Sequence, residues 1–202
     1  MSLSKIKESI ADALAVVIVW FMLKWDDIKD TIVTVAVTVG VCLLVTNYFF
    51  KPVAVKGTSM YPTIEDGSIG FSSVISRSVS GIKRFDIVVV HLDAKNENLI
   101  KRVIGLPGET ITYLNGELYV DGQHYTEDFL DSVYVSSQIG KKGSRIFTQA
   151  FSYTLGDDEY FCMGDNRLVS SDSRRYGPFK GSDILSRGLF VIYPLDHFGN
   201  CK

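Results

Sequence analysis

The chain has 202 residues, enough for one domain with an anchor or for two small domains. Its 46% hydrophobic content exceeds what a fully soluble domain needs, and a net charge of −2 offers no basic stripe of the kind nucleic acid requires. The three cysteines, Cys42, Cys162 and Cys201, show no CxxC spacing and Cys42 falls inside an apolar run. Only Cys162 and Cys201 could pair, and neither a disulfide framework nor a zinc site is expected.

In chain order, the first element is the apolar run Ala13 to Leu23, about 11 residues that follow Asp12. It suits an interfacial helix or, extended back toward Ile6, a second span forming a hairpin. The next run, Thr31 to Phe50, holds about 20 residues without a charge, the length needed to cross a hydrocarbon core of roughly 30 Å. Asp30 and Lys51 bracket it, and Tyr48, Phe49 and Phe50 form an aromatic belt at its far end. No small-residue cleavage site precedes the charged KWDDIKD stretch, so a removable signal peptide is not expected. With a single span, Lys5, Lys7, Lys24 and Lys29 lie on the N-terminal side, which the positive-inside rule assigns to the cytoplasm. The expected division is a cytoplasmic segment over 1–30, a transmembrane helix over 31–50, and an outward-facing domain over 51–202.

Beyond Lys51 the pattern changes to short strands. Ile87 to Val90 is a β-branched apolar run that suits a buried strand. Thr110 to Tyr113 and Glu117 to Val120 flank Leu114-Asn115-Gly116, a strong hairpin signal, and Asp121-Gly122 offers a second turn. Tyr160 to Met163 and Gly188 to Tyr193 read as further strands. Many short strands punctuated by glycine turns give a mainly β fold, of barrel or sandwich type. Residues 125 to 150, with Gly140-Lys141-Lys142-Gly143, read as a looser and more exposed segment.

Chemistry concentrates in four blocks. These are Gly57-Thr58-Ser59-Met60-Tyr61-Pro62-Thr63, Lys83 to Val89, Lys101 to Glu109, and Gly164-Asp165-Asn166-Arg167 with Ser170 to Arg174 and Gly177. Taken singly, Ser59 is a turn serine ahead of a proline and Lys101 a solvated strand lysine. Taken together, and with the Gly164 to Arg167 block, they are expected to serve catalysis. A serine hydroxyl attacks carbonyls only when a neighbour accepts its proton. A free lysine, with a pKa near 10.4, is protonated at neutral pH, but burial can lower that value by several units. Leu99-Ile100 and Val103-Ile104 supply apolar flanks for Lys101. Alternation along a strand turns Arg102 the other way, toward an acid of its own. No motif surrounds the three histidines at 91, 124 and 197, so a histidine-based triad is not expected.

The four blocks, in this order and within one short domain, resemble the boxes of the type I signal peptidases, membrane-bound serine proteases that cleave signal peptides from exported proteins. The resemblance covers the chain from Val53 onward. It implies Ser59 as nucleophile, Lys101 as general base, and Ser170 and Asp172 behind them, with Ser170 hydrogen-bonded to the lysine. It also implies that Met60 lines the substrate pocket. Some relatives carry a serine two residues before the nucleophile to help hold the oxyanion; here that position is Gly57. The Ser59 N–H must then carry most of that role, and Gly57 lets substrate backbone approach closely. Leu168-Val169, where relatives commonly have polar residues, is a second departure.

An extended peptide is expected to bind as an added strand, using the edges Val53 to Lys56 and Leu99 to Lys101. Val55, Met60, Ile64, Leu99 and Ile100 would line shallow apolar pockets selecting small side chains, which matches A-x-A-like cleavage sites. Confinement to one membrane would raise the effective concentration of enzyme and substrate. About 55 residues separate Glu109 from Gly164, too few for a large extra β-domain. Asp165 and Arg167 are expected to form an ion pair positioning the Ser170 loop, with Asn166 and Arg174 in the same structural motif. The expected partners are signal peptides and the lipid bilayer, without nucleic acid, cofactor or metal, and nothing requires more than a monomer. The rival readings are a soluble Ser/Lys self-cleaving repressor, a peptidase for one exported substrate, and a non-catalytic membrane-anchored peptide-binding β module.

Overall fold

The computed structural model describes residues 3–74, 81–140 and 145–201. Two compact units divide the chain, Met1–Val45 and Thr46–Lys202. The first is dominated by one uninterrupted helix, α1 (Leu3–Tyr48), of 46 residues. Both apolar runs therefore lie on a single helix, and the hairpin alternative is not formed. The charged stretch between them does not end the helix because it contains neither proline nor glycine. It also pairs its own charges one turn apart, Lys24 to Asp27 at 2.9 Å and Lys29 to Asp26 at 2.7 Å. Lys24–Val45 is long and apolar enough to cross a membrane. Within it, Thr31, Thr34 and Thr38 donate their hydroxyls to carbonyls four residues back, at 2.7–2.8 Å, so these polar groups are satisfied inside the helix. At the far end of the run, Phe49 is a turn and Phe50 opens the first strand.

The second unit is mainly β, as two antiparallel sheets. Its strands are β1 (Phe50–Ala54), β2 (Ile69–Ser73), β3 (Ile87–Leu92), β4 (Glu97–Gly105), β5 (Thr110–Leu114), β6 (Glu117–Val120), β7 (Gln123–Tyr125), β8 (Phe151–Thr154), β9 (Glu159–Met163), β10 (Phe179–Lys180), β11 (Ile184–Tyr193) and β12 (Gly199–Asn200). The larger sheet runs β1-β2-β11-β3-β4-β9-β10 with β12 on β11, and the smaller runs β7-β6-β5-β8. The β5–β6 hairpin turns at Asn115 and Gly116, both at positive φ (54° and 89°), as a tight two-residue hairpin demands. Asp121 and Gly122 (49° and 80°) repeat the device between β6 and β7. The segment from 125 to 150 is more ordered than its composition suggests. It contains α2 (Ser132–Gln138), capped by Asp131 Oδ1 accepting from the Tyr134 N–H, and it buries Phe147 and Thr148. Lys141, Lys142 and Gly143 lie outside the described residues.

Three apolar clusters hold the sheets. Ile111, Tyr113, Leu118 and Val120 of the small sheet pack on Ile104, Phe161 and Met163 of the large one. Val88, Val90, Val103 and Cys162 fill the middle of the large sheet. Val55, Met60, Ile64, Ile87, Leu189 and Val191 form the third, beneath the loop that follows β1. On the opposite face of the same strands, Pro52, Phe71 and Phe190 stand side by side across β1, β2 and β11, with Ile69 and Tyr193 alongside, all exposed.

A buried ion pair ties β4 to the loop after β9. Arg102 donates through Nε and Nη2 to the two oxygens of Asp165 at 2.9 and 2.7 Å, and through Nη1 to the Phe85 carbonyl at 2.9 Å. Both partners are about 2% exposed or less. Removing one side leaves the other buried and uncompensated. Arg102→Ala is expected to destabilise the β unit by about 3–5 kcal/mol, read by far-UV circular dichroism in denaturant. Tryptophan fluorescence would miss the change, because both tryptophans, Trp20 and Trp25, sit on α1.

Candidate active site

Ser59 sits in the loop between β1 and β2, and that loop is pinned at its neck and from below. Val55 N–H donates to the Ser68 carbonyl and Gly67 N–H to the Val55 carbonyl, at 2.8 and 3.1 Å. Met60 and Ile64 sink into the third cluster at 2% and 1% exposure, with one helical turn closed by Ile64 N–H to the Met60 carbonyl. From above, Asn166 reaches the same loop twice. Its N–H donates to the Ser59 carbonyl and its Nδ2 to the Thr58 carbonyl, both at 3.0 Å.

Lys101 lies mid-strand on β4, opposite Val88 of β3. Its Nζ stands 2.8 Å from Ser59 Oγ and 2.9 Å from the Ile100 carbonyl. The side chain is 2% exposed. Burial lowers its pKa from 10.5 to about 8, against the opposing charge of Asp172 and, further down, Asp165 and Glu97. Cys162 could oppose the fall only as a thiolate, and burial pushes that thiol up, so it stays neutral. Once the amine loses its proton, the contact with Ser59 reverses and the hydroxyl donates to nitrogen. None of His91, His124 and His197 lines this cleft; they pair on the surface with Asp93, Glu117 and Glu65.

Behind the pair, Gly164 is wedged between the Ser59 carbonyl and the Ser170 side chain, and a Cβ there would collide with both. The Gly164 N–H donates to Asp172 Oδ2 at 3.0 Å. Burial pushes the Asp172 carboxyl up, but Arg174, bonded through Nε and Nη2 at 2.8 Å each, outweighs it with help from Gly164 and Ser170, and the pKa falls below the usual range. Ser170 does not hydrogen-bond Lys101. Its Oγ is buried without a partner of normal geometry, and it acts on the site as the wall against Gly164 and as a dipole near Asp172. The expected pairing of Asp165 with Arg167 is also corrected. Asp165 is taken by Arg102 and by the Thr63 hydroxyl at 2.6 Å. Arg167 turns instead into the small sheet, where it meets Glu127 at 2.5 Å, the Tyr113 and Thr148 hydroxyls at 3.0 Å, and the Gly164 carbonyl at 3.1 Å. Two residues apart in a loop, Asp165 and Arg167 project to different sides.

In front of the pair runs a cleft of about 400 Å³ lined by Ser59, Lys101, Val55, Met60, Leu99 and Ile100. Ile64 is not in its wall, because it is sealed in the core. Leu185 and Ser186 of β11 also line it, and no local motif marks them. β4 pairs with β9 only from Arg102 onward, so on that side its segment from Glu97 to Lys101 is an open edge. Among the described residues β1 pairs with β2 alone, so its far edge is open as well. Gly57 has a φ of 92° and nothing within 4 Å of where a Cβ would stand, which leaves room for another backbone. Its own N–H is committed to Asp66 Oδ1 at 2.7 Å. The Ser59 N–H finds no acceptor among the described residues and is free to bind an oxyanion.

Residues 28–193 match the family model "Signal peptidase, peptidase S26". The chain is similar to signal peptidase I of Streptococcus pneumoniae serotype 4, with 37% identity over 180 residues covering 75% of this chain and 86% of the relative. It is 34% identical over 177 residues to a signal peptidase I of Bacillus amyloliquefaciens, covering 87% of this chain and 93% of the relative. A crystal structure of a signal peptidase I from Enterococcus faecalis V583 aligns with 52% of this chain and 95% of that one, at 33% identity and a TM-score of 0.47.

The tight seat of Gly164 yields a direct test. Gly164→Ala should shift the Ser59 backbone, and misplacement on the scale of 1 Å costs about 10²-fold in reactivity. The rate at which a serine-directed acylating probe labels Ser59 should fall by about that factor.

Proposed function

The chain belongs to the signal peptidase I family, peptidase S26, and from that membership we propose that it is a serine endopeptidase that removes N-terminal signal peptides from exported preproteins. The observation that carries this reading is the 2.8 Å contact between Ser59 and a buried Lys101. Ser59 Oγ attacks the scissile carbonyl while the neutral Lys101 amine takes its proton. The oxyanion develops against the Ser59 N–H. The Lys101 ammonium then returns the proton to the departing amine, leaving an acyl-enzyme. Water then attacks the acyl carbon while giving a proton to Lys101, and the acyl–Oγ bond breaks. Lys101 passes that proton to Ser59 Oγ, which releases the carboxylic product and restores the pair. Asp172 and Ser170 hold the wall behind Ser59, and Asp165, Asn166, Arg167 and Arg174 keep the loops in place.

In this reading the substrate enters as an extended strand between the open edges of β1 and β4. Both edges lead toward the catalytic residues, so the residues before the scissile bond run parallel to both. Val55, Met60, Leu99 and Ile100 leave shallow apolar space that suits the small residues of an A-x-A-like site. The division into a cytoplasmic N-terminal segment, a transmembrane helix and an extracytoplasmic catalytic unit belongs to the same proposal. So does the monomer. The exposed apolar face of Pro52, Phe71 and Phe190 suits contact with lipid.

The test is cleavage of a preprotein carrying an A-x-A site, in detergent. Wild type should cleave, and Ser59→Ala and Lys101→Ala should each lose about 10²–10⁴-fold or more. An active Lys101→Ala protein would remove the lysine from its role. The pH profile supplies a second check. Lys101 works only unprotonated, and its pKa lies at about 8. Hence kcat/KM should fall about tenfold per pH unit below about 8. A limb near 6.5, the ordinary histidine value, would point to another base.

A further inference from the structure

A second cleft, of about 570 Å³, lies beside the loop that carries Ser170. That is within the roughly 300–1,000 Å³ of ligand-binding sites. One wall is β8, the end strand of the small sheet, which pairs with β5 alone and leaves its other edge open among the described residues. Phe151 and Tyr153 of that strand stack with Phe161 and give the cleft an apolar stretch. The opposite wall is the segment carrying Ser170, Arg174 and Arg175, with Arg167 at the back. No Asp or Glu lines it among the described residues. Arg167 and Arg174 are answered from behind by Glu127 and Asp172. Among the described residues Arg175 has no acid of its own; there it reaches the Ser171 hydroxyl at 3.4 Å and the Tyr176 ring at 5.9 Å.

Resting on the endopeptidase reading above, we infer that this cleft receives the mature part of the preprotein, the residues just after the scissile bond, as an extended acidic strand added to β8. Three features select that occupant. An open strand edge pairs with extended backbone rather than with a folded surface. An arginine without an acid favours a carboxylate. Position supplies the third. The catalytic cleft is walled by segments that lead up to Ser59 and Lys101 and takes the residues before the scissile bond. Ser170 walls the second cleft and also presses on Gly164, whose other neighbour is the Ser59 carbonyl. Ser170 thus links the wall of the second cleft, through Gly164, to the backbone of Ser59, which lines the first. The mature segment leaving the first cleft would cross that one-residue step to reach the second.

The test uses the full chain in detergent with preproteins whose first about six residues after the scissile bond are acidic, neutral or basic. Wild type should favour the acidic series over the basic one by about two- to five-fold in kcat/KM, the scale of one exposed ion pair, and salt should erase the preference. Arg175→Glu, a surface change, should reverse the order. Equal rates for all three series, or an order unchanged in Arg175→Glu, would overturn the proposal. A second measurement needs no cleavage. In the Ser59→Ala protein, a photoreactive residue early in the mature segment should crosslink to β8 or to the 170–175 segment, and crosslinks confined to other surfaces would overturn it. If wild type cleaves none of the preproteins, the endopeptidase reading falls, while the crosslinking still decides the cleft.

Discussion

Everything at this site depends on removing one ammonium group from water. The fall in the Lys101 pKa from 10.5 to about 8 corresponds to about 3 kcal/mol against the charged form. The sign matters. Because the folded value lies below the unfolded one, the penalty is fully present below pH 8 and fades as pH rises toward 10.5. At neutral pH the protein therefore carries a destabilising group at its centre, and the apolar clusters around β3, β4 and β9 must offset it. A lysine left in solvent would cost nothing and could not act as a base near neutrality.

Letting that lysine give up its proton as low as about pH 8 also requires that nearby carboxylates be committed elsewhere. Of the carboxylates that oppose the fall, Asp172 is held by Arg174 and Asp165 by Arg102, each pair with at least one partner almost fully buried. A buried ion pair adds little net stability. Its effect here is to spend each negative charge on a guanidinium before it can hold a proton on Lys101. Asp172 remains the largest opposing influence on the lysine, and it is the acid held by a two-point contact to its own neighbour in sequence. Arg174, in the last motif, thus acts on Lys101 through Asp172 without touching it.

Local chemistry made much of this legible in the sequence. Asn115-Gly116 specifies a tight hairpin by itself, and the apolar flanks of Lys101 announce its burial. The alternation that sends Arg102 away from Ser59 follows from strand geometry alone. What failed was pairing across loops. Nothing in the string says that Asp165 reaches back 63 residues to Arg102 while Arg167 leaves for Glu127. Ile64 is expected in the pocket as one of its apolar side chains, yet the helical turn after Ser59 rotates it into the core. The charged stretch between the apolar runs read as a break, although its i,i+3 pairs are compatible with an unbroken helix. Leu185 and Ser186 reach the cleft only through the order of strands in the sheet.

The position of Ser59 is over-determined, which bears on how four distant blocks can behave as one site. Met60 and Ile64 anchor the Ser59 loop in a core shared with β3 and β11, while Asn166 fixes its carbonyls from the far side. Gly164 fills the remaining gap so closely that no side chain fits. Asn166 and Gly164 belong to the segment that Arg102 ties to β4, the strand that also carries Lys101. Motion of Ser59 relative to Lys101 would have to break a buried ion pair, unpack the third cluster and compress Gly164 together. The 2.8 Å contact is thus set by the fold as a whole, and the sparse motifs of the sequence mark where its separate restraints converge.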